Sequence, residues 1–348
     1  MIFVRLILIP VSILYSFIMF IRNKLYDLGV FNSINIPVPV ISVGNITTGG
    51  TGKTPFTIFI AEYYLEKNLK VGIISRGYKR KSKDLVIVCD GTSVNQDIEM
   101  SGDEPVMISN TLLCENKNKY FAVACSDRVN AAEFMVNKFH PDLIILDDGF
   151  QHRKINRNPD IVLIDAHDFS NNVFRNLFTI PSGNLRENIT NLKRADLIIQ
   201  NNKHGSFELI PGVSDYASEL ISIRYKSEYI MDSKNSILER EQFKKKKAFV
   251  FSGLADNGSF IKQLENFGIN IDEHVDFSDH YDYSEKDIAF LITKFRDEVI
   301  YITTEKDFVK VVKFKKLISD YPVYFLKIGI ELNDKNNVLI KMLDEAVK

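Results

Sequence analysis

A glycine-rich segment constrains the fold of this chain more than any other: Thr47-Thr48-Gly49-Gly50-Thr51-Gly52-Lys53-Thr54-Pro55. It follows the short apolar run 38–43, which predicts a buried strand. It precedes residues 56–65, which predict a helix with Phe59, Ile60 and Tyr63 on one face. A strand, a glycine-rich turn, Gly-Lys-Thr and a helix together indicate a phosphate-binding loop (P-loop). In such a loop, backbone N–H groups and the helix N-terminus surround a polyphosphate.

The residues of this loop predict how a nucleotide binds. We expect the backbone of Gly49, Gly50, Thr51 and Gly52, together with the Lys53 ammonium, to bind the phosphates of ATP. The Thr54 hydroxyl is expected to ligate Mg²⁺. The P-loop pattern places its first glycine at position 47, where this chain has Thr47. The alternative is a glycine-rich turn that binds no ligand.

Composition limits the possible partners. The chain has 348 residues, of which 45% are hydrophobic and 26% charged, so we expect a globular protein of two domains. Its formal net charge of -1 gives no bulk attraction to nucleic acid, and no nucleic-acid partner is expected. Three cysteines without metal-ligand spacing, Cys89, Cys114 and Cys125, fit a reducing compartment.

The N-terminus carries an uncharged apolar run, residues 6–21, between Arg5 and Arg22. It is short for a membrane span, which needs roughly 20 residues. Three arrangements are open: a helix in the membrane interface with Tyr15, Phe17 and Phe20 as lipid contacts, a transmembrane anchor, or a helix buried in the protein. We favour the first.

Apolar strands alternate with helices through most of the chain, which predicts a mostly parallel sheet covered on both faces. The predicted fold is α/β. It consists of a P-loop three-layer α/β/α domain, a smaller C-terminal α/β domain and an N-terminal membrane-associated helix. The predicted boundaries are 1–30 for that helix, 31–215 for the P-loop domain, 216–245 for a connection and 246–348 for the smaller domain.

Asp147 and Asp148 end an apolar strand downstream of the loop, where P-loop proteins place a carboxylate that holds Mg²⁺. Adjacent carboxylates repel each other unless a cation compensates. A polar turn is the alternative there. Taken alone, Asp103 before a helix is an ordinary cap, and Asp279-His280 is an ordinary exposed loop.

Eight blocks, taken together, resemble the lipid A 4'-kinases (tetraacyldisaccharide 4'-kinases) over nearly the whole chain. These blocks are Gly44 to Pro55, Ser75-Arg76-Gly77-Tyr78, Gly102-Asp103-Glu104-Pro105, Asp127-Arg128-Val129, Leu146-Asp147-Asp148-Gly149-Phe150-Gln151-His152, Leu185-Arg186-Glu187, Asp279-His280 and Thr304-Glu305-Lys306-Asp307. Thr47 at the first glycine position is also similar to this family.

The resemblance implies a kinase that transfers the γ-phosphate of ATP to the 4'-hydroxyl of an acylated glucosamine disaccharide 1-phosphate. The product is the bis-phosphorylated lipid A precursor. It also implies a peripheral or monotopic position on the cytoplasmic face of the bacterial inner membrane. The partners are then the lipid substrate and the membrane surface, and no obligate protein partner is expected.

With the resemblance, site residues receive roles. Asp103 becomes the base that accepts the hydroxyl proton, and His280 pairs with it. Thr54 and Asp147 are the first choices for ligating Mg²⁺, with Asp148 and Glu187 as further candidates. The residues expected to meet phosphates or substrate are Arg76, Tyr78, Arg128, His152 and Arg186.

Two other classes remain as alternatives. A membrane-associated ATPase switch of the partitioning type uses Lys-Gly-Gly-x-Gly-Lys-Thr, but Thr48 stands where its signature lysine would be. The other class is a cytosolic small-molecule kinase or ligase with a P-loop. Because its substrate is soluble, this class does not explain the apolar N-terminus.

Overall fold

Buried apolar strands and intervening helices make up most of the computed structural model. It describes residues 2–78, 80–113, 116–171, 176–203, 205–210, 212–232, 236–238, 240–243, 246–254, 256–296, 298–314, 321 and 323–348. Tertiary contacts divide the chain into two units. The first comprises Met1–Arg224 and Ile330–Lys348, and the second Tyr225–Gly329.

Strands of the first part of the chain are β1 (Val40–Asn45), β2 (Val71–Ser75), β3 (Val86–Cys89), β4 (Tyr120–Ala124), β5 (Leu143–Asp147), β6 (Asp160–Asp165), β7 (Leu197–Asn201) and β8 (Leu220–Met231). Its α-helices are α1 (Ile2–Ile7), α2 (Ile9–Asp27), α3 (Lys53–Glu66), α4 (Ile98–Ser101), α5 (Asp103–Leu113), α6 (Arg128–Phe139) and α7 (Ala166–Asn171). Two 3₁₀ helices follow at Ile189–Arg194 and Ser214–Tyr216.

The remaining strands are β9 (Ile237–Leu238), β10 (Lys247–Ser252), β11 (Asn270–Asp276), β12 (Val299–Thr304) and β13 (Val323–Asn333). The remaining α-helices are α8 (Arg240–Phe243), α9 (Asn257–Phe267), α10 (Glu285–Thr293), α11 (Glu305–Val311) and α12 (Val338–Ala346), with a 3₁₀ helix at Val312–Phe314.

The sheet of the first unit has the strand order β8-β7-β6-β1-β5-β2-β4-β3. All its neighbouring pairs are parallel except β3–β4, which is antiparallel at the edge. Strands β1, β2, β4, β5, β6 and β7 are buried along their whole length, as expected for parallel strands covered on both faces. The prediction of a mixed α/β fold with a large, mostly parallel sheet is confirmed.

The second unit has its own parallel strands, in the order β11-β10-β12-β13. Its core includes Phe249, Phe251 and Tyr301. Helix α10 begins with a capping box at Ser284, whose side chain accepts a hydrogen bond from the backbone N–H of Asp287. The β9 strand pairs antiparallel with the end of β8.

The C-terminal helix packs in the first unit, although the sequence places it in the smaller C-terminal domain. The hydroxyl of Tyr64 donates to the carbonyl of Leu343 at 2.7 Å, and that of Tyr63 donates to Asp344 at 2.5 Å. Leu339 and Leu343 are fully buried. These contacts with α3 explain why Ile330–Lys348 belongs to the first unit.

Two further details of the fold are a helix cap and the state of the cysteines. Asp127 caps α6, because its side chain accepts hydrogen bonds from the backbone N–H groups of Val129 and Asn130. Cys89 and Cys125 are buried free thiols. Cys114 lies outside the described residues.

Candidate active site

The glycine-rich segment joins β1 to α3 at the carboxyl edge of the sheet. Gly49 has a φ of 111° and Gly52 a φ of 94°, a left-handed backbone that glycine adopts at little cost. Thr47 is not among the described residues with a positive φ. It is buried and forms an antiparallel bridge with Leu185. The first position of the motif therefore does not require a glycine here.

Two asparagine side chains hold this loop at Thr51. The Nδ2 of Asn45 donates to Oγ1 of Thr51 at 3.1 Å, and the Nδ2 of Asn201 donates to its carbonyl oxygen at 3.0 Å. All three residues are buried. The sequence assigns no role to either asparagine, although each is the polar residue that ends an apolar strand. These bonds fix the turn immediately before Lys53 and Thr54, the first two residues of α3.

Strand β5 brings the predicted acidic pair to the same edge, because Asp147 lies opposite Val43 of β1. The next residue, Asp148, has a φ of 59°. Its Oδ1 lies 3.4 Å from the Nζ of Lys53. The Nη1 of Arg186 donates to both of its carboxylate oxygens at 2.8 Å. Lys53, Asp148 and Arg186 thus form one cluster, although they are far apart in sequence.

The two carboxylates have different environments. Burial and the charge of Asp148 raise the pKa of Asp147, whose Oδ2 accepts a hydrogen bond from Oγ of Ser75 at 2.8 Å. Burial also opposes ionisation of Asp148, but Lys53 and Arg186 outweigh it and lower the pKa of Asp148 to about 2. Asp148 is therefore ionised at neutral pH. A cation bound near Asp147 would therefore stabilise the ionised form of its carboxyl group.

The donor set at this edge fits Mg²⁺, which takes hydroxyl, carboxylate and phosphate oxygens. Thr54 supplies a hydroxyl, and Asp147 and Asp148 supply carboxylates. Within the described ranges, no group of three or more His, Cys, Asp or Glu residues has the arrangement of a metal site.

Two further predicted residues, Arg128 and His152, lie in low-dielectric surroundings. The Nη1 of the buried Arg128 donates to the carbonyl oxygens of Cys125 and Ser126 at 3.1 and 3.2 Å. Burial, Arg128 and Arg157 lower the pKa of His152 to about 4. His152 is therefore neutral at pH 7. Its Nε2 is buried without a hydrogen-bond partner in the part of the chain that the structure describes.

Arg76 and Tyr78 lie in an exposed loop after β2, and Tyr78 is 54% exposed. Gly77 between them and Gly102 before α5 both have left-handed backbones. A Cβ atom on Gly102 would lie 3.0 Å from the Cα of Gly77, so the two turns are in direct contact. The turn that presents Asp103 therefore lies against the Arg76–Tyr78 loop.

Glu187 lies in a different environment from the other candidate Mg²⁺ ligands. It is fully buried. Its Oε2 accepts from Nδ2 of Asn23 and Nη2 of Arg194, both at 2.8 Å, and its Oε1 accepts from Nε2 of Gln151 at 3.1 Å. This network fastens α2 to the sheet, so the geometry favours a structural charge over a metal ligand.

Helix α2 turns its polar side toward the protein. Ser12 Oγ accepts from the backbone N–H of Ser182 at 2.8 Å, and the hydroxyl of Tyr15 donates to the carbonyl of Arg186 at 2.9 Å. Large apolar side chains of the helix are exposed: Val11, Ile13, Leu14, Phe17, Ile18, Phe20 and Ile21. An amphipathic helix on a water-soluble surface has the opposite orientation. None of the helices among the described residues is long and apolar enough to cross a membrane.

In the second unit, two of the sequence blocks meet. His280, in a left-handed conformation with a φ of 56°, has its Nε2 3.0 Å from Nζ of Lys306. The same Nζ lies 3.2 Å from Oδ1 of Asp279. The sequence assigns no role to Lys306. The pairing of His280 with Asp103 of the first unit stays a prediction.

Comparison with known proteins places the whole chain in one family. A family model described as Tetraacyldisaccharide-1-P 4'-kinase matches residues 4–348. The tetraacyldisaccharide 4'-kinase of Aquifex aeolicus is 36% identical over 96% of this chain and 97% of its own length. The enzyme of Chlorobium phaeobacteroides is 34% identical over 98% of each chain.

A solved structure agrees. The crystal structure of LpxK from Aquifex aeolicus in complex with ATP has a TM-score of 0.82 to this fold at 34% identity, covering 99% of this chain and 100% of the other. The resemblance drawn from the sequence blocks is confirmed. The chain belongs to the tetraacyldisaccharide-1-phosphate 4'-kinase family.

Proposed function

We propose that this chain transfers the γ-phosphate of ATP to the 4'-hydroxyl of an acylated glucosamine disaccharide 1-phosphate, giving the bis-phosphorylated lipid A precursor. The observation that carries the proposal is the cluster of Lys53, Asp148 and Arg186 beside the glycine-rich loop, in a chain that matches a kinase family over its length. Phosphoryl transfer depends mainly on positioning and on neutralising charge. This cluster provides two cations and a carboxylate for that purpose.

For the nucleotide, we assign the backbone of Gly49, Gly50, Thr51 and Gly52 and the Lys53 ammonium to the phosphates. Lys53 already lies beside Asp148, so binding exchanges a carboxylate for phosphate oxygens as its counter-charge. Thr54, Asp147 and Asp148 would hold Mg²⁺, which neutralises charge on the phosphates when bound. These assignments belong to the predicted domain 31–215.

For the acceptor, we assign Asp103 as the base. The 4'-hydroxyl gives its proton to the Asp103 carboxylate while its oxygen forms a bond to the γ-phosphorus. The bond from that phosphorus to the bridging oxygen breaks, and ADP leaves. His280, from the predicted domain 246–348, would pair with Asp103 and orient it. Connection 216–245 would link the two domains.

Other polar residues are proposed to contact the phosphate groups of ATP or of the lipid substrate. Arg128 and Arg186 lie near the acidic pair, and the Arg76–Tyr78 loop lies against the turn of Asp103. Arginine binds phosphate through paired N–H groups. The neutral His152, with its buried Nε2, completes the proposed substrate contacts.

The outward apolar face of α2 supports attachment of the protein to a lipid surface. We propose that the protein binds the cytoplasmic face of the inner membrane as a peripheral or monotopic protein. Beside α2 lies a groove of about 500 Å³, lined by Ile13, Phe17, Phe20 and Leu177 among others. A substrate with acyl chains is located in the membrane, so a kinase that binds the membrane surface reaches this substrate more readily.

A transfer assay tests the function directly. The protein is incubated with γ-labelled ATP and Mg²⁺, with the acylated disaccharide 1-phosphate or without an acceptor. Label in the lipid supports the proposal. Release of labelled phosphate alone would instead identify an ATPase. Lys53→Ala should lose nearly all transfer, whereas Lys67→Ala, at the other end of α3, should retain it.

A second experiment tests the proposed base and its partner. Asp103→Asn and His280→Gln are each expected to lower kcat by about a hundredfold or more, the usual contribution of general base catalysis. The dissociation constant of ATP, measured by calorimetry, should change little, because neither residue is assigned to the nucleotide. Wild-type turnover in both variants would remove the pair from the mechanism.

A further inference from the structure

We infer that Lys306 is a positioning residue that fixes the tautomer of His280. Its ammonium donates a hydrogen bond to Nε2 of His280, which leaves the proton of the neutral imidazole on Nδ1. The catalytic meaning of this tautomer rests on the proposed function, in which His280 pairs with the base Asp103. The hydrogen bond itself does not depend on that function.

The two groups are within hydrogen-bonding distance, and the chemistry of the ammonium group sets the direction of donation. The Nζ of Lys306 lies 3.0 Å from Nε2 of His280 and 3.2 Å from Oδ1 of Asp279. An ammonium group has three donors and no acceptor. The nitrogen of His280 that faces Lys306 therefore serves as the acceptor.

The lysine sits in a fixed part of the second unit. Thr304 caps helix α11, since its side chain accepts from the backbone N–H of Asp307. Asp307 is fully buried, and its Oδ2 accepts from the Gly253 backbone N–H and the Thr304 hydroxyl at 2.8 and 2.7 Å. Lys306 follows Thr304 by two residues in that capped turn. Its side chain is 16% exposed and that of His280 is 14% exposed.

The tautomer matters for a histidine that works beside a carboxylate. With its proton on Nδ1, His280 has an N–H donor on the nitrogen that does not face Lys306. With its proton on Nε2, that same nitrogen would present a lone pair, which repels a carboxylate. Lys306 thus selects the form of His280 that can hold and orient Asp103.

Nitrogen-15 NMR of selectively histidine-labelled protein tests the hydrogen bond without any assay of activity. The chain has six histidines, and the signals missing from His280→Gln assign the residue. The expected result at neutral pH is a protonated Nδ1 and an unprotonated Nε2 in the wild-type protein. Lys306→Met should shift His280 toward the Nε2–H form, and Lys306→Arg, which retains a donor, should restore Nδ1–H.

Kinetics supply the second readout. Lys306→Met should lower kcat about tenfold, less than loss of the base itself, and leave the KM for ATP unchanged. Lys306→Arg should recover part of the loss. The matched control is Lys313→Met, which removes a lysine paired with Asp282 at 3.0 Å on the same loop as His280. This control should change neither the tautomer nor kcat.

The outcomes distinguish failure of the tautomer assignment from failure of the proposed kinase function. A wild-type His280 protonated on Nε2 would overturn the inference, and so would a Lys306→Met variant with unchanged tautomer and unchanged kcat. If the wild-type protein phosphorylates no lipid, the proposed function fails, but the NMR result still decides whether Lys306 sets the tautomer.

Discussion

Asp148 is a carboxylate held between two cations, Lys53 and Arg186. The arrangement compensates a partly buried charge, and it explains why an adjacent pair of aspartates is tolerated at the end of a buried strand. Among the described residues, Asp147 has no such cation at hydrogen-bonding distance, and its carboxylate accepts from the hydroxyls of Ser75 at 2.8 Å and Thr57 at 3.5 Å. Asp148 is therefore ionised at neutral pH, whereas burial disfavours the ionised form of Asp147.

Replacing Asp148 tests the importance of this compensation. Asp148→Asn should lower kcat for phosphate transfer by about a hundredfold, because the variant loses a carboxylate that is proposed to hold Mg²⁺. The measurement is the initial rate at saturating ATP and lipid. Asp127→Asn is the control, because asparagine caps a helix as well as aspartate does. Equal rates in Asp148→Asn and the wild type would contradict the assignment.

His152 makes stability depend on pH. Its pKa is about 4 in the folded protein, against an ordinary value near 6.5. The unfolded chain therefore takes up the proton first, and the free energy of unfolding falls as the pH drops from about 6.5 to about 4. His152→Gln should lose less stability than the wild type between pH 7 and pH 5, measured by urea unfolding.

The exposed His167 supplies the control for this experiment. His167→Gln should retain the pH dependence of the wild type. If His152→Gln showed the same loss of stability as the wild type, the assignment of a neutral His152 in the folded protein would be wrong.

At the scale of elements, α2 combines a polar inner face with an apolar outer face. Its contacts with the rest of the first unit include hydrogen bonds made by Ser12, Tyr15 and Asn23, whereas the side chains of Phe17 and Phe20 are mostly exposed. The outer face is therefore available for a lipid surface. One of its inner contacts ends on the carbonyl of Arg186.

Removing two aromatic rings from this face should weaken lipid binding strongly and preserve the fold. Phe17→Ser combined with Phe20→Ser is expected to reduce co-sedimentation with vesicles of phosphatidylethanolamine and phosphatidylglycerol at least tenfold. The unfolding temperature should stay within a few degrees of the wild type, since the rings are 59% and 55% exposed. Phe290→Ser, at a 46% exposed position of the second unit, should bind vesicles normally.

The sequence predicts elements well where local signals are strong. Continuous apolar runs mark the buried parallel strands, and Asp127 marks the start of α6. It does not show which distant groups meet. Asn23 and Glu187 are separated by 164 positions, and their pairing depends on how α2 packs. The loop at Thr47 is a similar case, because only the bridge to Leu185 explains the missing glycine.

Some site residues can be identified from the sequence, and others only from the folded structure. Lys53 and Asp148 were recognisable because a motif and a strand end point to them, and the structure brings them together. Asn45, Asn201 and Lys306 carry no motif of their own. Their contacts arise from strand ends and a capped turn, so their roles emerge only when the elements are assembled.

At the scale of the whole molecule, the first unit is discontinuous in sequence, since Ile330–Lys348 returns to it after the second unit. Leu343 is fully buried, so Leu343→Ala should lower the free energy of unfolding by about 2–5 kcal/mol. Chemical unfolding monitored by circular dichroism measures the effect. Lys341→Ala, on the exposed side of the same helix, should leave stability unchanged within about 0.5 kcal/mol.

The return of the chain to Tyr63 and Tyr64 has a consequence for biosynthesis. A ribosome makes α12 after the other described strands and helices of both units. The nascent chain can form the glycine-rich loop early, but α3 stays uncovered on its Tyr63–Tyr64 side until α12 has been made. A chain truncated just before α12 would therefore keep its glycine-rich loop but expose apolar surface on α3, and we expect quality-control proteases to degrade it.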